Sequence, residues 1–408
     1  MASKKISYRE WMIPGARYWG LLALLGGLAA IGGLAALYME HHGHWVTGMS
    51  NLVVWGTPHV FAVFLIVAAS GALNVASIGS VFGKTLYKPL ARLSGLLAIA
   101  LLVAGLLVLV LDLGRPDRLI VAMTTYNFKS IFAWNIYLYT GFMVIVAAYL
   151  WTMMERKAAD YVKPVGFLAF VWRLALTTGT GSIFGFLVAR QAYDSAILPP
   201  LFIVMSFAFG LAVFVLVLMF AFNQEGRPLG DGLLDRLRRL LGLFVGAVLF
   251  LSLIYHLTKL YGTKYHGVES FILLNGGIYS VMFWFGHVLL GGLIPLGIIY
   301  HPVLGKSRTW FASTCALVIL GGLASMYFII VGGQVYPLEM FPGMTLLDEG
   351  FGAQAAQMAP YSPSLPELLL GLGGMALAMT VTAVGVRALK FLPESLADEA
   401  LDIQSAHA

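Results

Sequence analysis

The sequence predicts an all-α polytopic membrane protein with about ten transmembrane helices, and three observations carry that prediction. A mean hydropathy of +0.86 over 408 residues is too apolar for a soluble domain. The apolar residues come in runs of about twenty or more, the length a helix needs to cross roughly 30 Å of hydrocarbon. The runs show no period-two alternation, and lipid accepts only helices or closed barrels, so strands are not competitive.

The runs fall at 17–39, 57–81, 88–111, 132–154, 164–189, 199–222, 238–258, 270–299, 309–333 and 366–391. The first follows "MASKKISYREWMIPGARYW", which lacks the short apolar core and cleavage site of a signal peptide, so it reads as a retained helix. Its pairs Gly26-Gly27 and Gly32-Gly33 are expected to admit a neighbouring helix at close range. The second run opens at "WGTPHVF", which puts His59 in its first turn. The third has no charge from Leu93 to Leu111 and is closed by "VLDLGRPDR", where Pro116 stops the helix just after Gly114. The fourth is introduced by "TTYNFKSIFAW": Tyr126, Asn127, Lys129 and Ser130 precede or open it, and Trp134 lies one turn on. The fifth contains Arg173, with no acid at similar depth, and the close-packing spacing Gly181-xxx-Gly185. After the sixth and seventh, the eighth holds His287 and the ninth holds Cys315. The tenth follows a long loop, 334–365, whose acids Glu339, Asp348 and Glu349 meet no lysine or arginine. A loop of this length is seldom idle, and it serves either a partner or a solvated connection.

Basic residues set the expected orientation. Of the 25 lysines and arginines, eighteen fall in the segments that share a side with the N-terminus, six fall on the other side, and Arg173 is inside a run. Both termini are therefore expected to be cytoplasmic. The net charge of +6 is a topology signal and gives no reason to invoke nucleic acid. On this reading the third run's closing motif, His59, the "YNFKS" turn and the long loop share the outer face.

Counting ligands bounds the redox chemistry. The single cysteine excludes an internal disulfide and an iron–sulfur cluster in this chain. Haem b needs two facing histidines at matching depth. His287 and His301 find no matching pair, because His59 and His256 lie near outer ends, so no haem is expected. His41, His42 and His44, with only Glu40 nearby, are a poor metal set and read as a solvated stretch, so no metal site is expected.

Asp112 and Arg115 are three apart, so at a helix end they can share a face and pair, which would hold Asp112 ionised at the membrane edge. The same charges also suit a helix that simply ends at the interface. Two neighbours on that face add chemistry: His59, and the group Tyr126, Asn127, Lys129, Ser130 and Trp134. Together they offer a titratable imidazole, a carboxylate, hydrogen-bond donors and flat aromatic walls beside lipid. A quinol needs such a set, with a polar partner at each ring oxygen and an acceptor for each proton as electrons leave. Histidine suits the proton role, its unperturbed pKa being about 6.5.

At these residues the chain resembles the NrfD/PsrC family of quinone-reactive membrane subunits of bacterial redox complexes. "LDLGRPDR" at a helix end, followed by "YNFKS" opening the next helix, carries the likeness. The ten helices and "MEHHGHWVTGMSNLVVWGTPHVF" are most similar to the membrane subunit of the Dsr complex of sulfur metabolism. The resemblance implies two four-helix bundles, 57–190 and 199–333, with 17–39 and 366–391 as additional helices. It implies a subunit without a redox cofactor of its own, which exchanges electrons between quinone or menaquinone and an iron–sulfur protein on the outer face of the bacterial inner membrane. His59, Asp112 and Tyr126 fall where the family has its quinone site, with Arg115, Asn127, Ser130 and Trp134 around them. The partners implied are a periplasmic ferredoxin-like subunit, a multihaem cytochrome c, a membrane subunit with haem b and a cytoplasmic iron–sulfur subunit. Two other classes stay open: a secondary transporter, which needs polar residues clustered at mid-depth in two related halves, and a structural anchor, which leaves the His, Asp and Tyr set without a role. A proton relay would show acids or histidines at mid-depth, and no acid occurs there.

Overall fold

A computed structural model describes residues 7–338 and 357–401, so Glu339, Asp348 and Glu349 of the long loop lie outside the described residues. Among those described, ten helices are long and apolar enough to cross a membrane. They are Gly15–His42, Thr57–Ser80, Thr85–Leu111, Ile131–Met154, Arg156–Gly185, Leu198–Glu225, Asp231–Tyr261, Ile278–Tyr300, Arg308–Val335 and Leu365–Ala388. The chain is an all-α integral membrane protein, and these helices are its first to tenth spans. Most coincide with the predicted runs.

Three spans start elsewhere, each for a physical reason. The fifth starts at Arg156 instead of 164, because a 3-10 turn, Arg156–Tyr161, leads into its α-helix. The seventh starts at Asp231 instead of 238, because its polar first turns are held by Asp235 bonding both Arg238 and Arg239 along the helix. Hydropathy cannot see a helix that continues beyond the apolar run. The eighth begins at Ile278 instead of 270, because Asn275, Gly276 and Gly277 interrupt it, with Gly277 at φ +58°. Ser280 bridges the break by donating from Oγ to the Phe271 carbonyl.

The second span is central: 94 % of its apolar window is buried, against 17 % for the first span and 22 % for the fourth, which face lipid. It packs on the third, fifth, sixth, ninth and tenth spans, while the first and tenth pack on each other. Lipid provides no hydrophobic drive between helices, so these contacts rest on close backbone approach. Gly71 and Gly210 make the tightest crossing, between the second and sixth spans. Gly32 meets Gly373 of the tenth span, and Gly181 and Gly185 meet Pro199 of the sixth span, Gly185 also facing the Ser195 carbonyl just before it. Gly26, Gly27 and Gly33 differ from expectation, since they face open space.

Outside the spans, a two-residue antiparallel ladder pairs β1 (Tyr8–Arg9) with β2 (Leu392–Pro393) and joins the segments before the first span and after the tenth. Short connections join most successive spans, which alternate in direction, and Gln334 bonding Trp55 and Glu367 bonding Gly48 bring the end of the ninth and the start of the tenth to the same face. The starts of the even spans and the ends of the odd ones therefore share one face, the face of His59.

Candidate functional site

The third span ends at Leu111, and Asp112 extends its last turn through an N–H bond to the Val108 carbonyl. Gly114 then turns the chain at φ +67°, and Pro116 opens a new tight turn. This leaves the Asp112 carboxyl aimed across the packed second and third spans. Thr57 and Pro58 open the second span, with His59 beside them in the first turn. The two side chains meet, with His59 Nδ1 lying 2.6 Å from Asp112 Oδ2. The carboxyl is fully buried and the imidazole 13 % exposed. Asp112 Oδ1 is buried without a hydrogen-bond partner among the described residues. An ionised Asp112 fixes the proton on His59 Nδ1 and leaves Nε2 as the basic nitrogen.

The expected pairing of Asp112 with Arg115 does not form. Arg115 donates from Nε and Nη2 to both oxygens of Asp117, at 3.0 Å each, and that pair is more than 60 % exposed. Hydrogen bonding to Arg115 holds the Asp117 carboxyl below its ordinary value. The helix ends before Gly114, so the helical three-residue spacing does not apply to Arg115.

Trp55 supplies a wall beside His59, with ring centroids 6.2 Å apart and 29° between planes. The same indole touches Phe132 at the start of the fourth span, Phe184 at the end of the fifth, and Tyr193. Its backbone is clamped from 279 residues away: Gln334 accepts from the Val54 and Trp55 N–H groups and donates to the Trp55 carbonyl. Arg190 donates to the carbonyls of Gln334 and Leu52, and burial pushes its guanidinium below its ordinary value. Nearby, Glu367 accepts from Gly48 N, Ser364 N and Tyr361 Oη, and the Tyr361 hydroxyl meets Thr57. Residues 48–57 before the second span are thus tied down, while His41 and His42 of the stretch expected to be solvated are exposed. Its His44 imidazole lies against Gly114, 3.3 Å from where a Cβ would stand.

The other predicted site residues form a separate cluster. Asn127 Oδ1 accepts from Lys129 N, Ser130 Oγ caps the fourth span by accepting from Ala133 N, and Trp134 Nε1 donates to the Phe128 carbonyl. These polar atoms serve the local backbone and make no bond to His59 or Asp112. Tyr126 packs edge-on against Phe128, Trp134 and Tyr137, and its Oη is buried without a hydrogen-bond partner among the described residues. The link from this turn to His59 runs through Phe132 and Trp55.

At mid-depth, Arg173 donates to Asn74 Oδ1 at 2.8 Å and lies over the rings of Phe170 and Phe207. Thr177 and Ser70 share a hydrogen bond beside it. No group of three or more His, Cys, Asp or Glu side chains that could hold a metal ion occurs among the described residues.

The profile of the family described as "Polysulphide reductase, NrfD" matches residues 45–337, from just before the second span to the end of the ninth. An Archaeoglobus fulgidus protein, the Hdr-like menaquinol oxidoreductase integral membrane subunit, is 30 % identical over 394 residues, covering 95 % of this chain and 96 % of its own. A selenate reductase subunit of Mesobacillus selenatarsenatis is 23 % identical over 86 % of this chain and 89 % of its own. A polysulfide reductase subunit of Wolinella succinogenes is 26 % identical over 70 % of this chain and 96 % of its own.

Proposed function

This chain belongs to the NrfD family, and from that premise we propose that it is the quinone-reactive membrane subunit of an oxidoreductase complex, exchanging electrons between a quinone at His59 and an iron–sulfur protein docked on the same face. The buried His59 to Asp112 contact, placed at the lipid edge beside an aromatic wall, is the observation that carries this reading. The name of the Archaeoglobus fulgidus relative favours menaquinol as the substrate.

In quinol oxidation each ring hydroxyl loses a proton as an electron leaves for the partner. His59 Nε2 accepts a proton there, and the Asp112 carboxylate stabilises the imidazolium that results. In quinone reduction the same groups return the proton. Tyr126 has a buried, unpaired hydroxyl that suits a second ring oxygen. Asn127, Ser130 and Trp134 shape the turn that presents it, and Arg115 acts at the surface instead of on Asp112.

The proposal keeps the spans 57–190 and 199–333 as two four-helix bundles, with 17–39 and 366–391 as additional helices. The family profile covers the eight spans of the two bundles, which supports that division. Our proposal puts the His59 face in the periplasm and both termini in the cytoplasm, and leaves haem and iron–sulfur clusters to partner subunits, as in a Dsr-type sulfur complex. Sidedness has a direct test. A cysteine replacing Lys264, whose side chain is 56 % exposed on the His59 face, is expected to react with a membrane-impermeant maleimide in intact cells. Labelling only after the membrane is broken would reverse the assignment. The native Cys315 is buried and gives a low background.

A further inference from the structure

The seventh span carries a second histidine and carboxylate pair on the same face. His256 Nδ1 lies 2.7 Å from Oε2 of Glu269, which sits in the short helix His266–Ser270. The Glu269 side chain is fully buried, and its Oε1 has no hydrogen-bond partner among the described residues. The arrangement repeats that of His59 and Asp112, with the same imidazole atom engaged and the same second oxygen unpaired. Access separates the two. His59 is 13 % exposed beside a flat wall, whereas His256 is 7 % exposed and enclosed by the rings of Tyr255 and Phe283, at 4.9 and 4.7 Å. That leaves no face for a quinone ring.

Phe283 also touches His287, which is buried near the middle of the eighth span. His287 Nε2 lies 2.9 Å from Ser252 Oγ, and Nδ1 lies 2.6 Å from Ser325 Oγ. Ser325 Oγ donates to the Gly321 carbonyl and so accepts from His287 Nδ1–H, which leaves Nε2, beside Ser252 Oγ, as the basic nitrogen. A cavity lined by His287, Gly291, Gly321, Gly322 and Ser325 lies alongside. The backbone around it is π-helical at Phe271–Asn275, Met282–Leu293 and Phe328–Gly332. Such turns recur at functional sites.

We propose that Glu269, His256 and His287 form a proton-exchange site in the second half of the chain, separate from the quinone site. The charged and titratable groups around the pair are Lys259 and Tyr255 on its own span, Asp194 and Tyr193 from the loop between the fifth and sixth spans, Lys264 and Tyr265 before the short helix, and His287. Lys259 donates to the Gln191 carbonyl and lies 4.3 Å from the Tyr265 ring centroid, so the direct partner of Glu269 is a titratable imidazole. Glu269 is thus buried with one imidazole in direct contact and the Lys259 charge nearby, so either member of the pair can carry a proton. With the Glu269 carboxylate accepting from His256 Nδ1–H, a proton reaching Oε1 gives the carboxylic acid and its departure returns the carboxylate; a proton passed from His287 to His256 Nε2 gives the imidazolium, and its return restores the neutral ring. No electrons move.

Infrared difference spectra of the purified full chain, stepped from acid to alkaline pH, test the site without any turnover. A protonated-carboxyl band is expected in the parent and lost in Glu269→Gln. It is expected to persist in His59→Ala, so failure of the quinone assignment would leave this result standing. In proteoliposomes containing the whole complex, Glu269→Gln and His287→Ala are expected to oxidise quinol near the parent rate with a lower ratio of protons moved to electrons transferred. An unchanged carboxyl band in Glu269→Gln overturns the proposal, as does an unchanged ratio in both assembled variants.

Discussion

Replacing Asp112 by asparagine is expected to leave the complex assembled while slowing quinol-linked electron transfer by about 10²- to 10⁴-fold, the range a positioned acid–base group supplies. The substitution keeps size and shape, so packing at the buried end of the third span survives. What changes is the histidine. An ionised carboxylate accepts from His59 Nδ1–H and leaves Nε2 free to take a proton. An asparagine amide donates to Nδ1 instead, which puts the ring proton on Nε2 and removes the base from the side that faces the ligand. His59→Ala is expected to lose a similar factor, and the double variant no more than the worse single one, because the two residues act as a unit. Arg115→Gln is the control. Its partner Asp117 is exposed and neither touches Asp112, so turnover is expected to stay near the parent value. Steady-state quinol oxidation by membranes, normalised to assembled complex, measures all four.

Gly71→Val is expected to prevent a stable fold. A Cβ at Gly71 would stand 1.6 Å from the Ser206 carbonyl oxygen, and one at Gly210 would stand 2.2 Å from Ala72 N. Both obstacles are backbone, so no side chain can rotate away. The second and sixth spans would have to separate, and the second span is the most buried helix in the molecule. The expected loss is about 3 kcal/mol or more, at the upper end of overpacking costs. Gly26→Val, which faces open space, is expected to fold like the parent. Thermal unfolding of the detergent-solubilised chain separates the two, and equal midpoints would show that the crossing at Gly71 is not limiting.

The ten spans were legible because lipid imposes one requirement, an apolar stretch of about 20 residues, that composition reveals directly. The interruption at Gly277 was not, since a single positive φ inside an apolar run leaves hydropathy unchanged. Asp112 stood out as a charge closing an uncharged helix. Its partner did not, because the spacing to Arg115 assumes a helix that Gly114 has already ended, while His59 lies 53 residues away in sequence. Trp55, Gln334 and Glu367 were invisible for the same reason: their contacts join segments about 280 to 320 residues apart, and no local pattern records them. Glu269 reads as an ordinary residue between spans until the fold buries it against His256. The residues of the "YNFKS" turn were found, but spacing could not show that Asn127 and Ser130 spend their polar atoms on the turn itself.

Trp55 provides an intrinsic probe of the central claim, that a quinone binds beside His59. Titrating the purified complex with a water-soluble menaquinone analogue is expected to quench part of its tryptophan fluorescence, and Trp55→Phe is expected to lose that part of the signal. In His59→Ala the midpoint is expected to rise by about 10- to 100-fold, the equivalent of a hydrogen bond to a charged or strongly polarised group worth about 1.5–3 kcal/mol. Saturable quenching that needs Trp55 and weakens without His59 places the quinone at this pair. Quenching that persists in Trp55→Phe, at the parent midpoint in both His59→Ala and Asp112→Asn, would put the quinone elsewhere.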